Sequence, residues 1–345
     1  MIRELEIRFR ILRSGSFFGE LHPVGSPRLT MSDSAAIKTS LSGEFLIPEE
    51  IDWLSDEIQP VLVIDGEESP LGVFLPATVT PTETETTKSV KVTAYDRCWR
   101  VRDTYAESSV YFASGTNYLA AIESLLTAAG IVLTVKTPTA AAFPEAREDW
   151  QAGTSYLDII NELLSEISYN PLWFNSQGAA VLEPASVPAA ENIEHTLDDT
   201  DVRSLLLPQI TRETDVYSAP NVFLCICSSA DKASVLTASA ENTNPQSPLS
   251  IMRRGRRIVK VTRVNNIADQ TALTAYAEKL RNESMLGGET IRVTTGLLPG
   301  FGVADVTAIR WGELSEICVE HAWEMELGVG GSMKHTLERV VVNLE

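Results

Sequence analysis

Residues that commonly carry out catalysis are few in this chain and stand far apart along it. Its four histidines are His22, His195, His321 and His335. None belongs to the H-E-x-x-H pattern of zinc proteases, and the sequence has no G-x-S-x-G nucleophile turn, no G-x-x-x-x-G-K phosphate loop and no C-x-x-C pair. The residue types and spacings therefore predict no catalytic residue, no cofactor and no metal ligand, and they favour a non-enzymatic protein.

Carboxylates are abundant, but their spacing selects no site. The loop Asp198-Asp199-Thr200-Asp201 contains three acids, yet it matches no calcium-binding pattern, and consecutive acids in a loop are usually solvated. A pair of carboxylates for glycoside hydrolysis is defined by its distance in space and leaves no spacing in the sequence. A hydrolase of unknown type therefore remains an open alternative.

The cysteines favour structural thiols over chemistry. Cys98 and Cys318 stand alone, and only Cys225 and Cys227 are close in sequence. In a strand this spacing places both thiols on one face, which is too cramped for a disulfide between them. We expect buried thiols.

Charge and hydropathy exclude two classes of partner. The 345 residues include 47 acidic and 28 basic side chains, a formal charge of −19, whereas binding to nucleic acid needs clustered Lys and Arg. The amino terminus MIRELEIRFRI is charged, and no apolar stretch reaches the roughly 18 residues of a membrane span. The sequence predicts a soluble protein made in a cytoplasm, without nucleic-acid specificity or a membrane anchor.

One dense basic run interrupts this acidic chain. It consists of Arg253, Arg254, Arg256 and Arg257 around Gly255. Such a run is either an exposed turn or a cluster that binds an acidic surface of a neighbouring subunit. We retain the four arginines as a candidate subunit-interface cluster.

The middle of the chain contains the clearest structural unit. Residues 149–184 predict a capped helix with a buried stripe, stopped at Asn170-Pro171 and followed by a short hairpin that turns at residues 175–178. The segment GTNYLAAIESLLTAAGI at 115–131 aligns on GTSYLDIINELLSEISY at 153–169 without gaps. Either a duplication or two similar capped helices explains the match, and both place two helices in one small domain at about 106–200.

The flanking regions alternate with the period of strands. A strand is predicted at 2–11, then a loop rich in Gly and Pro through Pro27, then further strands that include a long one at 89–100. Pro76 marks its strand as an edge or a bulge. From about 201 to the end, strands dominate around one helix at 269–282. The predicted fold class is α+β, mainly β: two antiparallel barrel-like domains at 1–105 and 201–345, with the helix-plus-hairpin domain at 106–200 inserted between them.

The strand predicted at 317–327 has two chemically different faces. Ile317, Val319, His321, Trp323, Met325 and Leu327 share one face. Glu320, Glu324 and Glu326 lie on the other, which we expect to meet solvent, a lumen or a partner. A histidine in such an apolar row is more often packed than catalytic.

The order of elements, together with several loose motifs, resembles the tail hub proteins of phages and phage-like contractile machines, a family that includes the late control protein D group. The motifs are Ala94-Tyr95-Asp96-Arg97-Cys98-Trp99-Arg100, the Gly-Thr-x-Tyr-Leu-x-x-Ile-x-x-Leu-Leu helix at 115–126, the segments at 149–157 and 169–172, and Pro299-Gly300 before Asp305. In that family two similar barrels per subunit form a trimeric, pseudo-sixfold ring between tail tube and spike.

The resemblance implies a structural virion protein, assembled in the host cytoplasm, that lines the channel through which DNA is ejected. Its implied partners are two further copies of itself, the tail tube protein, the spike or tail-tip protein, and possible contacts to the tape-measure protein and other baseplate subunits. In that setting Glu320, Glu324 and Glu326 become candidates for the channel lining, with an ordinary solvated face as the alternative. The chain lacks the appended lysozyme or peptidase domain that some members have, so hydrolysis is not implied.

A second functional class stays open beside this one. A tail-tip module that recognises carbohydrate or a receptor would use exposed aromatic side chains, for which Trp150 and Trp173 are the candidates.

Overall fold

The computed structural model describes residues 4–47, 50–83, 88–185, 188–214, 217, 219–227, 235–264, 270–286 and 289–340, and for residues 283–286 it describes the backbone alone. The chain divides into two compact units. The first comprises Met1–Val187, Thr295–Ala304 and Ala322–Lys334, and the second comprises Pro188–Thr294, Asp305–His321 and His335–Glu345. The predicted boundaries of three domains remain a prediction.

The first unit begins with eight strands and a short helix. They are β1 (Leu5–Arg13), β2 (Ser16–Leu21), β3 (Arg28–Ser32), β4 (Thr39–Leu46), β5 (Glu57–Ile64), β6 (Glu67–Pro70), β7 (Phe74–Glu83), β8 (Lys88–Asp96) and α1 (Cys98–Asp103). The insert follows with β9 (Val110–Phe112), α2 (Tyr118–Ala128), β10 (Thr134–Lys136), β11 (Arg147–Trp150), α3 (Tyr156–Glu166), β12 (Trp173–Phe174) and β13 (Ala180–Leu182).

The predicted loop before Pro27 is wrong, because β2 lies within it. Ser14 and Gly15 both have positive φ, 49° and 76°. Two such residues in succession form the tight turn whose twist matches a hairpin, so β1 folds back onto β2.

The bulge predicted at Pro76 is confirmed, since the register between β7 and β8 shifts between Pro76 and Thr78.

The ladders of the first unit run in the order β2-β1-β5-β7-β8-β4-β3, and β3 pairs on its far side with residues 322–326. These ladders form no closed barrel within the described part of the chain. Only an isolated bridge between Pro23 and Phe45 joins the end of β2 to β4. The amides of Val24 and Leu46 donate to Glu44 and His22 at 2.7 and 2.8 Å.

The long strand predicted at 89–100 ends early. Asp96 is buried, and its Oδ1 accepts the amide of Cys98 at 2.8 Å, so the chain turns into α1 at that point. A carboxylate that caps the first amides of a helix competes directly with continuation of the strand.

The insert has the two helices and the hairpin that the sequence predicts. Asn117 caps α2 and Ser155 caps α3, at equivalent positions of the two similar segments. Each helix is preceded by a short strand, and these strands, β9 and β11, pair with each other. The core of the insert consists of residues between 98 and 182, among which Ile122, Leu126, Ile160, Leu163 and Leu164 are fully buried.

The hairpin of the insert packs against the first strands through Arg97. The guanidinium of Arg97 pairs with Glu57 at 2.6 Å and donates to the carbonyl of Gly178 at 2.9 Å. A side chain at position 178 would lie 2.8 Å from Val73, so this close approach requires glycine.

The second unit contains two short 3₁₀ turns, Ala190–Asn192 and Val202–Ser204, and most of the remaining elements. They are β14 (His195–Asp198), β15 (Leu206–Thr214), β16 (Val222–Cys227), β17 (Leu236–Glu241), α4 (Ile251–Arg254), β18 (Val259–Val264), α5 (Gln270–Leu286), β19 (Glu289–Gly296), β20 (Val306–Trp311), β21 (Leu314–Glu326) and β22 (Ser332–Arg339). The last residues of β19, the end of β21 and the start of β22 belong to the first unit.

We expected an antiparallel barrel-like domain here, but the described strands of the second unit form neither a closed barrel nor a wholly antiparallel sheet. Its ladders run β15-β19-β22-β21-β20-β14, and β14 is parallel to β20. A separate sheet β17-β16-β18 also contains a parallel pair, β16 with β18, which the alternation of residues could not reveal. Helix α5 packs on one face of this sheet, where Leu273 and Ala277 belong to the same buried cluster as Cys225 and Cys227.

Candidate functional site

The three glutamates predicted to share an outer face of β21 do not have the same environment. Glu320 is fully buried, whereas the side chain of Glu324 is about one-third exposed, at 32%, and Glu326 is exposed. Cys318 is also buried, so in the first part of β21 the even-numbered side chains point inward. The inclusion of Glu320 in an outward-facing acidic row was therefore wrong.

Glu320 belongs instead to a buried pair with His335 in the second unit. Glu320 Oε2 and His335 Nδ1 are 2.8 Å apart, and neither side chain has any exposed surface. The other oxygen, Oε1, has no hydrogen-bond partner among the residues the structure describes. Burial raises the pKa of Glu320, and the facing imidazole offsets part of that rise.

A second histidine–carboxylate pair lies on the strands next to this one. His195 Nε2 and Asp305 Oδ2 are 2.9 Å apart, and the backbone amide of Glu320 donates to the carbonyl of Asp305 at 2.9 Å. Both side chains are partly exposed. No group of three or more His, Cys, Asp and Glu side chains within the described ranges has an arrangement that could hold a metal ion.

Glu324 and Glu326 keep the exposure that a channel lining needs. Glu324 is within 3.6 Å of Arg28 and 3.4 Å of Lys334, so part of its charge is neutralised within the subunit. Both contacts are loose and partly exposed, which makes each worth at most about 1 kcal/mol. These two carboxylates remain candidates for the lining.

Three of the four arginines in the basic run contact their own chain. Arg254 donates to the carbonyl of Ala219, and Arg256 donates to that of Tyr217 at 2.8 Å. Arg257 forms a two-point ion pair with Glu241, with distances of 2.9 and 2.6 Å. Arg253 is exposed and has no ion pair in the described residues. The cluster holds the residues around α4 in place, and its role at a subunit interface stays a prediction.

The aromatic side chains considered for carbohydrate recognition are not both available. Trp150 is buried, its indole nitrogen donates to Glu162 at 2.8 Å, and Arg147 lies over its ring at 4.6 Å. Trp173 is half-buried and donates to Glu183 at 3.1 Å. The expectation that Trp150 is exposed was wrong, because this tryptophan fills the core of the insert.

The acidic loop at 198–201 uses its carboxylates to shape its own turn. Asp198 accepts from Thr200, Asp201 accepts from the amide of Arg203, and Asp199 accepts from the amide of Gly312 at 2.8 Å. The hydroxyl and amide of Thr200 depress the pKa of Asp198, and the side chain and then the amide of Arg203 depress the pKa of Asp201. The loop is therefore built as a turn.

The cysteines are buried thiols, as expected. Burial raises the pKa of Cys98 and Cys225 and raises that of Cys318 to about 12. Thiols with such pKa values are protonated at neutral pH and are poor nucleophiles.

The first unit contains a cavity that sequence patterns did not predict. Its volume is about 120 Å³, and it lies among the hairpin of the insert, the segments at 70–73 and 300–303, and the strands β3, β4, β8 and β21. Four aromatic side chains line it: Trp173, Phe174, Phe301 and Trp323. These residues come from three distant parts of the chain, so no local spacing could have linked them.

No helix in the described residues combines the length and apolar character that crossing a bilayer requires. The sequence matches no protein-family model and no curated protein.

Solved structures of phage tail proteins share this fold over nearly its whole length. A tail protein from Neisseria meningitidis superimposes with a TM-score of 0.70 at 13% identity, covering 96% of both chains. The 43 kDa tail protein of prophage MuSo2 from Shewanella oneidensis gives 0.68 at 13% identity, covering 97% of this chain and 98% of the other. The c3393 protein of E. coli gives 0.51 at 9% identity, covering 99% and 77%. It is a component of the type VI secretion system with structural similarity to the T4 tail proteins gp27 and gp5. The resemblance seen in the sequence is confirmed at the level of the fold.

Proposed function

We propose that this chain, which has the fold of phage tail proteins, is a structural subunit of the tail hub or baseplate of a phage or phage-like particle. In this proposal three copies form a pseudo-sixfold ring that joins the tail tube to the central spike. The chain acts in the virion after assembly in the host cytoplasm. Its partners are its own copies, the tube protein, the spike or tail-tip protein and neighbouring baseplate subunits, and its role requires no catalysis.

One observation carries the proposal. The superposition on the tail protein from Neisseria meningitidis covers 96% of each chain, so the shared fold extends over nearly all of both. A fold shared over nearly the whole chain supports a similar structural role more strongly than a match to one domain would, although fold alone does not determine function.

The internal organisation of the chain suits a ring of this kind. A trimer can imitate sixfold symmetry only if each subunit offers two comparable surfaces to the sixfold partner. The chain has two compact, mainly β units, and both lie within the extent of the shared fold. The proposal requires the strands of the two regions 1–105 and 201–345 to superimpose on one another.

The charge of the chain suits a conduit for DNA. A channel that passes DNA must not retain it, and carboxylates lower the affinity that release of counterions would otherwise supply. With a formal charge of −19 the subunit is strongly acidic. Glu324 and Glu326 are the side chains of β21 that we assign to this lining, and Glu320 is withdrawn because it is buried.

A gene knock-out in the encoding phage or prophage tests the proposal. A stop codon early in this gene should yield heads without complete tails in electron micrographs, and expression of the intact chain in trans should restore tails. Morphologically complete particles that fail only to adsorb to cells would refute the hub role and favour a recognition module. Complete, adsorbing particles that fail to penetrate the cell envelope would favour a hydrolase.

A further inference from the structure

The small sheet β17-β16-β18 of the second unit has one covered face and one open face. Helix α5 covers the side that contains the buried Cys225 and Cys227. Because side chains alternate along a strand, the residues of β16 between and before these cysteines belong to the opposite side, and the register with β18 adds two valines to it. The open face is defined by these four aliphatic side chains: Leu224, Ile226, Val259 and Val261.

The open face has the composition of a surface that is normally covered. Val259 and Val261 are each 50% exposed, and Leu224 and Ile226 are only partly buried. Strand β16, with the sequence VFLCIC, is apolar on both of its sides. Such a continuous apolar run is typical of a strand covered on both sides, and parallel pairing, which joins β16 to β18, has the same preference. Helix α5 supplies one cover, and no other described element covers the second side.

Basic side chains are concentrated around the open face. Residues 250–264, which run from α4 through β18, include six basic side chains and no acidic one, so the rest of the chain has 22 basic and 47 acidic side chains. At one end of the open face Arg257 is already paired with Glu241. At the other end Arg263 is exposed and forms no ion pair with any described residue. The face therefore combines an apolar centre with a positively charged edge, as the core and rim of a protein interface do.

We propose that the open face packs on an acidic surface of a second copy of this chain, with the aliphatic side chains at the centre of the contact and Arg263 facing carboxylates of the neighbour. Outside residues 250–264 the chain has a formal charge of −25, so the neighbouring copy offers the complementary sign. Two open faces against one another would bring like charges together, so the contact is head-to-tail, the kind that closes identical copies into a ring. This inference rests on the proposed hub role, which requires a ring, and names the surface that forms it.

Cross-linking in assembled tails tests what lies against the open face. A photoreactive benzophenone amino acid in place of Val261, or of Val259 if the first position blocks assembly, should join two copies of the chain into a product of twice its 37.7 kDa mass. Mass spectrometry should locate the attached peptide in an acidic segment outside residues 250–264. The same probe in place of Val135, a similarly exposed valine of the first unit at 53%, is the control and should not reach that segment.

A charge reversal tests the electrostatic part of the contact. Arg263→Glu in the chain that carries the probe should lower the yield of the two-copy product at least about fivefold, because it places like charges together. Arg203→Glu, at a side chain that is 81% exposed in the same unit, should change the yield less than about twofold.

The outcomes separate this inference from the proposed function. In tails that contain the chain, a cross-link to a different protein, a cross-link between two open faces, no cross-link, or a yield that Arg263→Glu leaves unchanged would overturn the inference and leave the hub role standing. Tails that do not contain the chain would refute the hub role and the inference with it.

Discussion

Replacing His335 by alanine should destabilise the second unit far more than replacing His321, on the neighbouring strand β21, by alanine. The histidine is fully buried, and its Nδ1 is 2.8 Å from Glu320 Oε2. Glu320 Oε1 already lacks a partner in the described residues, so removal of the imidazole leaves the buried carboxyl without the group that most offsets its burial. Breaking a buried pair in this way costs about 3–5 kcal/mol of unfolding free energy.

The same pair of strands provides the control. His321 Nε2 and Glu338 Oε2 are also 2.8 Å apart, but each side chain is 34% exposed. Solvent screens this pair, so His321→Ala should cost less than about 1 kcal/mol. Both changes lie in the second unit, so the same unfolding transition reports both.

Guanidinium denaturation followed by circular dichroism measures the two effects. We expect the midpoint of the transition to fall much further for His335→Ala than for His321→Ala, with similar slopes. Replacing both members of the buried pair, as Glu320→Met with His335→Leu, should recover most of the loss, because no charge is then left buried. Equal effects of the two histidine changes, or a double variant as unstable as His335→Ala, would refute the reasoning.

Three further predictions address pH, charge and a helix cap. The pKa of Glu320 is raised on folding, so its protonated form contributes stability that is complete below about pH 4.5 and is lost as pH rises through the folded pKa. The variant Glu320→Gln, which cannot titrate, should therefore flatten the pH dependence of the melting temperature between about pH 4 and pH 7. An unchanged profile would contradict this prediction. If Glu324 and Glu326 line the channel, replacing both with Lys should leave particles that assemble but eject DNA poorly. DNA ejection should recover as added salt screens the new charges over about 8–10 Å. Normal ejection at low salt would show that these two residues do not line the channel. Asn117→Ala removes the acceptor of the first amides of α2 and should lower the free energy of unfolding by about 1 kcal/mol, whereas Gln177→Ala, at an exposed position outside this cap, should leave it nearly unchanged. Equal effects of the two changes would contradict this account of the cap.

Local signals in the sequence predicted the insert well. The capped helices α2 and α3 and the hairpin β12–β13 each depend on neighbouring residues: an N-cap, a stripe of apolar side chains and a turn with Gly178. Elements fixed by local chemistry are the ones that a single sequence can show.

Elements fixed by distant partners were harder to predict. At the turn after β1, Ser14 adopts the left-handed conformation that serine rarely takes. The sequence therefore predicts a loop where the hairpin partner β2 lies. Strand β8 ends where the buried Asp96 accepts the first amide of α1, and the other oxygen of Asp96 accepts from Thr39, which is far away in sequence. Parallel pairing of β16 with β18 has no signature in alternation alone.

The candidate site residues show the same division. The exposure of Glu324 and Glu326 follows from strict alternation, but Glu320 is buried because His335, on another strand, provides its partner. No period in the sequence records that contact. Similarly, the cavity beside Trp323 is formed by a hairpin, two connecting segments and four strands that meet only after folding.

The position and symmetry of the chain within a tail test the proposed hub role most directly. Cryo-electron microscopy of tails from particles that encode this chain should show three copies around an open channel at the junction of tube and spike, each offering its two units to the sixfold tube. Density for the chain in peripheral fibres, at the distal tip beyond the spike, or in any arrangement without threefold symmetry around the channel would contradict the proposal.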